Sequence, residues 1–244
     1  MKHDEVVGLL LMAYGSPGDL SQMEDYLLDV REGRPVSPEL VEEIKERYRQ
    51  IGGRSPLLDR TMEQAHALEA ELNQRHTDKG QKFRAFVGMR HWEPRIGGAV
   101  ADMAAAGIRR AVSLVMAPHN SRLSIGKYYQ VLDASLEPHP IDFSRIESWH
   151  RHPVLLDAIA EKMEIGLARF EGGQPYVVFT AHSLPTRILE SDDPYDAQLN
   201  ETAELLAARF DLPSDKWQFC YQSAGASAIP WLGPQIEEVV AQLA

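Results

Sequence analysis

The chain has a single cysteine, Cys220. That excludes a disulfide within the chain and a zinc or iron–sulfur site built from its own cysteines. Long apolar runs are also missing. The longest, from Val6 to Tyr14, is nine residues, against the roughly 20 that span a bilayer. It follows the acidic pair Asp4-Glu5, unlike a signal peptide. Basic charge is in deficit, since 25 Lys and Arg stand against 36 Asp and Glu for a net charge of −11. A general nucleic-acid binder is therefore excluded, because phosphate neutralisation needs basic excess. No G-x-G-x-x-G, G-x-x-x-x-G-K-[ST] or His-Glu-x-x-His is present. Without the glycine fingerprint, a nicotinamide dehydrogenase is the weakest enzyme reading. At 244 residues, 44% hydrophobic and 25% charged, the chain has the makeup of a globular protein of one large or two small domains, and its expected location is the cytoplasm.

What is present alternates. Short β-rich runs at residues 6–14, 83–89, 111–116 and 143–149 read as strands. Helical patterns lie between them near 60–75, 93–106 and 122–136, and another follows near 154–170. A further helix begins at Ser37-Pro38, a capping residue with proline at the first helical position. It carries Leu40, Val41, Ile44 and Tyr48 at helical spacing and stops at Gly52-Gly53. Such alternation implies an α/β fold with parallel sheets, and residues 1–150 make a first Rossmann-like half. Residues 151–244 start a second. A strand at 175–180 runs into Ala181-His182-Ser183-Leu184-Pro185, which repeats the layout of Met12-Ala13-Tyr14-Gly15-Ser16-Pro17. A helix near 195–209, a strand at 217–221 and a helix from Pro234 follow. A complete second half needs about two more strands, so this half is expected to be incomplete. Ligands of open parallel sheets bind beyond the carboxyl ends of the strands. That rule points to the loops at 14–18, 88–94, 117–124 and 181–185, which two facing halves would set on opposite walls of one cleft.

Several side chains could carry chemistry there. His182 could ligate a metal or accept a proton near neutral pH; the alternative is a strand-end histidine bonded to backbone. His150 and His152 share one side of the chain if it is extended and could chelate, although a surface role is favoured. Six arginines (Arg31, Arg34, Arg47, Arg49, Arg54 and Arg60) fall within residues 31–60. Interleaved acids allow a solvated helix face with ion pairs. Arg47, next to Tyr48 and just before Gly52-Gly53-Arg54-Ser55-Pro56-Leu57, instead suits an anionic small molecule. Tyr14 could offer a phenol oxygen or be a packed strand-end aromatic. Of Tyr128 and Tyr129, one should pack inward while the other stays exposed.

Taken together the segments resemble the ferrochelatases, and most closely the bacterial coproporphyrin III ferrochelatases. The matching pieces occur in family order: the Met12–Pro17 loop, Arg47-Tyr48 with Ile51-Gly52-Gly53-Arg54-Ser55-Pro56-Leu57, Gly88-Met89-Arg90-His91-Trp92-Glu93-Pro94, and Ala117-Pro118-His119. Phe179-Thr180-Ala181-His182-Ser183-Leu184-Pro185 with Asp192-Asp193-Pro194-Tyr195 comes next, then Tyr221-Gln222-Ser223 and Pro230-Trp231-Leu232-Gly233-Pro234. The resemblance implies two chelatase-type halves around a porphyrin cleft, and insertion of ferrous iron into a tetrapyrrole with loss of two pyrrole protons, in haem biosynthesis. It implies His182 as the inner metal ligand or as the base for a pyrrole proton. Tyr14 would be an axial ligand to product iron. Arg31, Arg47, Tyr48, Ser55 and Tyr128 would hold the macrocycle and its propionates. Coproporphyrin III, with four propionates against the two of protoporphyrin, is the favoured substrate. Ferrous iron enters as substrate; no permanent cofactor or iron–sulfur cluster, no nucleic-acid partner and a monomer are expected.

Only ten residues follow Pro234, whereas family members carry a later Ser-Asp-His-x-Glu-type segment whose glutamate faces the histidine. The expectation is a C-terminally truncated chain with reduced or absent insertion activity. The competing readings are a non-catalytic porphyrin or haem carrier and a cobalt or nickel tetrapyrrole chelatase.

Overall fold

A computed structural model of the protein describes residues 6–170, 173, 175–225 and 229–244. The chain divides into two compact units, one of Met1–Ala117 with Lys127–Ile146 and the other of Pro118–Gly126 with Glu147–Ala244.

The first unit runs β1 (Val6–Ala13), α1 (Met23–Val30), α2 (Pro38–Gln50), α3 (Leu57–Arg75), β2 (Lys82–Met89), α4 (Ile96–Ala105), β3 (Arg110–Val115), α5 (Ile125–Leu136) and β4 (Asp142–Ile146). All four strands are parallel, in the order β2-β1-β3-β4. β1 is central because its run Val-Val-Gly-Leu-Leu-Leu-Met-Ala has no polar alternation, as a strand covered on both faces requires. Leu9, Leu11 and Ala13 pack with Val87 and Met89 of β2 and with Ala65 of α3. Leu10 and Met12 are fully buried, each such side chain contributing about 2 kcal/mol.

α2 forms as its sequence directs. Ser37 Oγ accepts from Leu40 N at 3.3 Å, and proline opens the helix. Gly52 and Gly53 take φ of 94° and 86°, and Gly53 N returns to the Tyr48 carbonyl at 2.8 Å. α1 is not foreshadowed by the sequence pattern. It has two turns, too few to be stable by propensity, and is held by burying Met23 and Tyr26 against Val41 of α2.

In the second unit α6 (Pro153–Leu167), β5 (Val177–His182), α7 (Tyr195–Arg209), β6 (Trp217–Gln222) and α8 (Ile236–Leu243) follow one another. β5 and β6 pair in parallel, with His182 opposite Gln222. Among the described residues this sheet has two strands.

Several boundaries differ from expectation. β5 spans Val177–His182 rather than 175–180, so His182 ends the strand instead of lying in the loop after it, and α8 begins at Ile236 rather than at Pro234. β4 stops at Ile146 rather than at 149, because Ser148 Oγ and Trp149 N both turn to the Pro118 carbonyl, each at 3.0 Å. His150 and His152 are therefore not neighbours on one extended strand. His152 caps α6, and His150 is buried rather than on the surface. Residues 118–126 group with the second unit. Asn120 N donates to Gln198 Oε1 at 2.7 Å and Arg122 N to Asp193 Oδ2 at 2.8 Å. Among the described residues no helix is long and apolar enough to cross a membrane.

Candidate active site

In the first unit the strand order reverses direction at β1, whose neighbours are β2 on one side and β3 on the other. Ligands of doubly wound sheets sit beyond the carboxyl ends of the strands at such a point. Tyr14 is the first residue past β1. It is 41% exposed, and its phenol makes no hydrogen bond among the described residues. The ring rests on that of His91, centroid to centroid 4.6 Å with a 51° tilt. Backbone bonds hold the two loops together: Arg90 N donates to the Ala13 carbonyl at 2.9 Å and His91 N to that of Tyr14 at 2.8 Å. Gly15 permits this approach. Its φ is +94°, and a Cβ there would lie 2.8 Å from Trp92 N.

Around this pair the polar groups are interlocked. His91 Nδ1 lies 2.7 Å from Asp29 Oδ1 at the end of α1, and Arg95 Nη1 donates to Asp29 Oδ2 at 2.8 Å. The Arg90 guanidinium sits 5.6 Å above the Tyr128 ring. Tyr26 Oη donates to the Gly15 carbonyl at 3.2 Å, and the Tyr48 and Ser16 hydroxyls are 2.8 Å apart. Arg31 buries a guanidinium Nε that has no partner among the described residues. A cavity of about 500 Å³ is lined by Asp29, Glu32, Arg90, His91, Lys127 and Gln130, with neighbours from α5. Burial raises the Tyr14 and Tyr128 phenols above the usual range, and Arg90 opposes it in both. Burial also lowers the His91 pKa, against the opposing hydrogen bond to Asp29.

In the second unit His182 is the last residue of β5. Its imidazole is without a hydrogen bond among the described residues, and partial burial lowers its pKa, so the ring is neutral at neutral pH. The backbone around it is tightly held. Tyr195 Oη donates to the His182 carbonyl at 3.0 Å, and Ser183 N to that of Gln222 at 2.8 Å. Buried Ser183 donates from Oγ to the Leu232 carbonyl at 2.8 Å, and Leu232 N returns to that of Leu184 at 2.9 Å. Tyr221 N donates to the Pro234 carbonyl at 2.8 Å. Two motifs almost fifty residues apart, around His182 and at Trp231-Leu232-Gly233-Pro234, thus form one local structure. Elsewhere in this unit, His150 bridges Ser148 Oγ (2.6 Å from Nδ1) and Glu201 Oε2 (2.8 Å from Nε2). His119 Nε2 is 2.9 Å from Thr202 Oγ1.

A model of the family described as Ferrochelatase matches residues 6–244. The chain belongs to the ferrochelatase family. It is 42% identical to the ferrochelatase of Deinococcus radiodurans, over 98% of this chain and 76% of that protein. Against the ferrochelatase of Thermus thermophilus the identity is 42%, over 97% and 79%. It is also 37% identical to the coproporphyrin III ferrochelatase of Oceanobacillus iheyensis, over 97% and 76%. As a ferrochelatase the protein is a lyase of haem biosynthesis that takes iron and a porphyrin as substrates.

For a ferrochelatase the strand-end loops are informative. Tyr14, Tyr48 and Tyr128 lie close enough for Tyr14 to feel the charge of Tyr48, and Tyr128 that of Tyr14. Tyr128 and Tyr129 are both buried, against the expectation that one of them stays exposed: the Tyr128 ring lies beneath Arg90, and Tyr129 is drawn in by donating to the Ile146 carbonyl at 2.8 Å. Ser55 Oγ accepts from Leu57 N at 3.2 Å at the start of α3. Arg47 is exposed and pairs with Glu43 at 2.5 Å, one turn back on α2. Sequence reasoning does not single out Asp29, Arg90, His91 or Arg95 as site residues. The rule for strand ends points to 88–94 without choosing among its side chains, and nothing local marks Asp29, which is 62 residues from His91.

Proposed function

We propose that this chain inserts ferrous iron into coproporphyrin III. His182 accepts a pyrrole proton, Tyr14 is the axial ligand to product iron, and Arg31, Arg47, Tyr48, Ser55 and Tyr128 hold the macrocycle and its propionates. The observation that carries the reading is a pair of side chains without a hydrogen bond among the described residues, at matching places: the Tyr14 phenol past β1 and the His182 imidazole at the end of β5. A neutral imidazole has the lone pair that a proton acceptor needs. The overall reaction balances as one Fe²⁺ and one porphyrin giving the iron porphyrin and two protons, the ring nitrogens keeping the electron pairs that bind the metal. The choice of coproporphyrin draws support from Arg90, whose charge reaches Tyr14 and whose guanidinium fork can match a carboxylate; with Lys127 it lines a cavity that also holds Asp29 and Glu32. Relatives named for coproporphyrin III point the same way.

The test is anaerobic Fe²⁺ insertion followed by porphyrin absorption, with coproporphyrin III and protoporphyrin IX compared. Faster turnover of coproporphyrin III is expected, with a loss of about 10²–10⁴-fold in His182→Ala. Because burial lowers the His182 pKa, the rate should hold down to pH values below the ordinary histidine range and then fall as the ring protonates. Preference for protoporphyrin, or an unaffected His182→Ala, overturns the reading. Porphyrin binding without metallation makes the chain a carrier.

A further inference from the structure

The Tyr14 oxygen has no hydrogen bond to aim it among the described residues, so its position depends on what its ring rests on. That support is His91, whose backbone is bonded to Tyr14 and whose imidazole lies under the phenol ring. The His91 side chain is 8% exposed, and its one side-chain partner among the described residues is Asp29. Asp29 divides its two oxygens: Oδ1 faces His91 Nδ1 at 2.7 Å, and Oδ2 accepts from Arg95 Nη1 at 2.8 Å. A carboxylate accepts and does not donate, so the hydrogen of that first contact belongs to His91 Nδ1. Its length is in the charge-assisted range. Arg95 Nη1 also donates to the Arg90 carbonyl at 3.2 Å, which ties the second carboxylate oxygen back to the loop that carries His91. The imidazole therefore has one tautomer at Nδ1 and one ring orientation, both imposed from α1.

We propose that Asp29 is a positioning residue for iron insertion. It fixes the tautomer and tilt of His91, and through that ring it sets where the Tyr14 oxygen stands. The inference rests on the reading of Tyr14 as ligand to product iron given above. Partners that orient a ligand's support act without touching substrate, and their loss lowers activity by about 10–100-fold in comparable sites. Asp29→Asn is the informative change. Arg95 still demands an acceptor, so the amide turns its oxygen to Arg95 and its NH₂ to His91, which moves the imidazole hydrogen to Nε2.

Two readouts decide it. In ¹⁵N-histidine spectra of the full chain without porphyrin, His91 should carry its proton on Nδ1, and Asp29→Asn should move it. Loaded with ferric coproporphyrin III, the chain should show a phenolate-to-iron absorption band that Asp29→Asn shifts or weakens. The same variant should lower kcat for insertion about tenfold with KM for the porphyrin nearly unchanged, and Asp29→Glu should restore both signals. An Nε2–H His91 in the unmodified chain overturns the proposal, as does an Asp29→Asn variant that switches the tautomer while band and kcat stay as they were. If Asp29→Asn does not fold, the spectrum of the unmodified chain and the Asp29→Glu band still discriminate. Absence of the band from the unmodified chain removes Tyr14 as a ligand and the proposal with it. A band without turnover counts against the insertion activity alone.

Discussion

The two units present the side chains proposed as functional at matching places, Tyr14 just past β1 and His182 at the end of β5, but support them differently. β1 is paired along its whole length with β2 and over most of it with β3, and Gly8 to Ala13 are all buried. The Tyr14 loop is then pinned by the loop of the adjacent strand. β5 has one paired neighbour among the described residues, and none of its own residues is fully buried. The His182 loop is held instead by Ser183, Leu184, Trp231 and Leu232, through an antiparallel bridge at Pro185 and Trp231 and the bonds around Leu232. A loop fixed by a neighbouring strand takes its position from the sheet. A loop fixed by a distant segment needs that segment to be in place first. The contrast has consequences that can be measured separately in each unit.

The largest effect is expected at Gly15. Alanine there would adopt a φ of +94° and meet Trp92 N at 2.8 Å and the Met89 Cβ at 3.1 Å. The neighbours are backbone and a buried core residue, so relief requires the Tyr14 and His91 loops to part. Gly15→Ala should lose about 3 kcal/mol in denaturant unfolding, with insertion activity falling alongside. A loss under about 1 kcal/mol would mean that the two loops are not locked as the geometry indicates.

Acid should act on the second unit. Its His119 pKa is lowered to about 4, by burial first and by the neighbouring His150 second. The unfolded chain takes up that proton near pH 6.5 and the folded unit not until about 4. Over that window the unfolded state binds more protons, so stability falls as pH falls; above it the site contributes no slope. His182, lowered in the same direction, adds to the effect. The protection of the α7 amides against hydrogen exchange, relative to the unstructured rate at each pH, should fall between pH 6.5 and 4; α7 carries Thr202 opposite His119. In His119→Gln, which keeps a donor for Thr202 without the titration, that fall should be reduced. Unchanged acid sensitivity in that variant would assign the slope to other groups.

The parts legible in the sequence are those with local causes. β1 can be read because burial on both faces leaves an unbroken apolar run, and α2 because its cap, its proline and its terminal glycines are all neighbours in the chain. Tyr14 and His182 can be named because strand-end loops are where such sheets bind ligands. What escapes is set by distance along the chain. α1 exists through burial against α2 rather than through its own propensity. The end of β4 depends on a carbonyl at Pro118. Asp29, an acid in a short helix, acquires its role from His91 and Arg95, both more than sixty residues away. His150 reads as a surface residue because its partners, Ser148 and Glu201, converge only when α7 is in place.

Arg47 gives the smallest effect and separates fold from ligand most sharply. Its side chain is 66% exposed, and its one ion pair among the described residues is the one-turn contact with Glu43, an arrangement worth at most about 0.5 kcal/mol in water. Arg47→Ala should therefore leave unfolding within about 0.5 kcal/mol of the parent chain. An arginine that serves only the helix face would leave insertion kinetics unchanged as well. One that grips a propionate removes binding common to ground and transition states, which raises KM while kcat holds. A KM increase confined to coproporphyrin III, with protoporphyrin IX unaffected, would place Arg47 at one of the extra carboxylates. An equal increase for both would place it at a carboxylate the two porphyrins share, and no change at all would return it to the role its bond with Glu43 already describes.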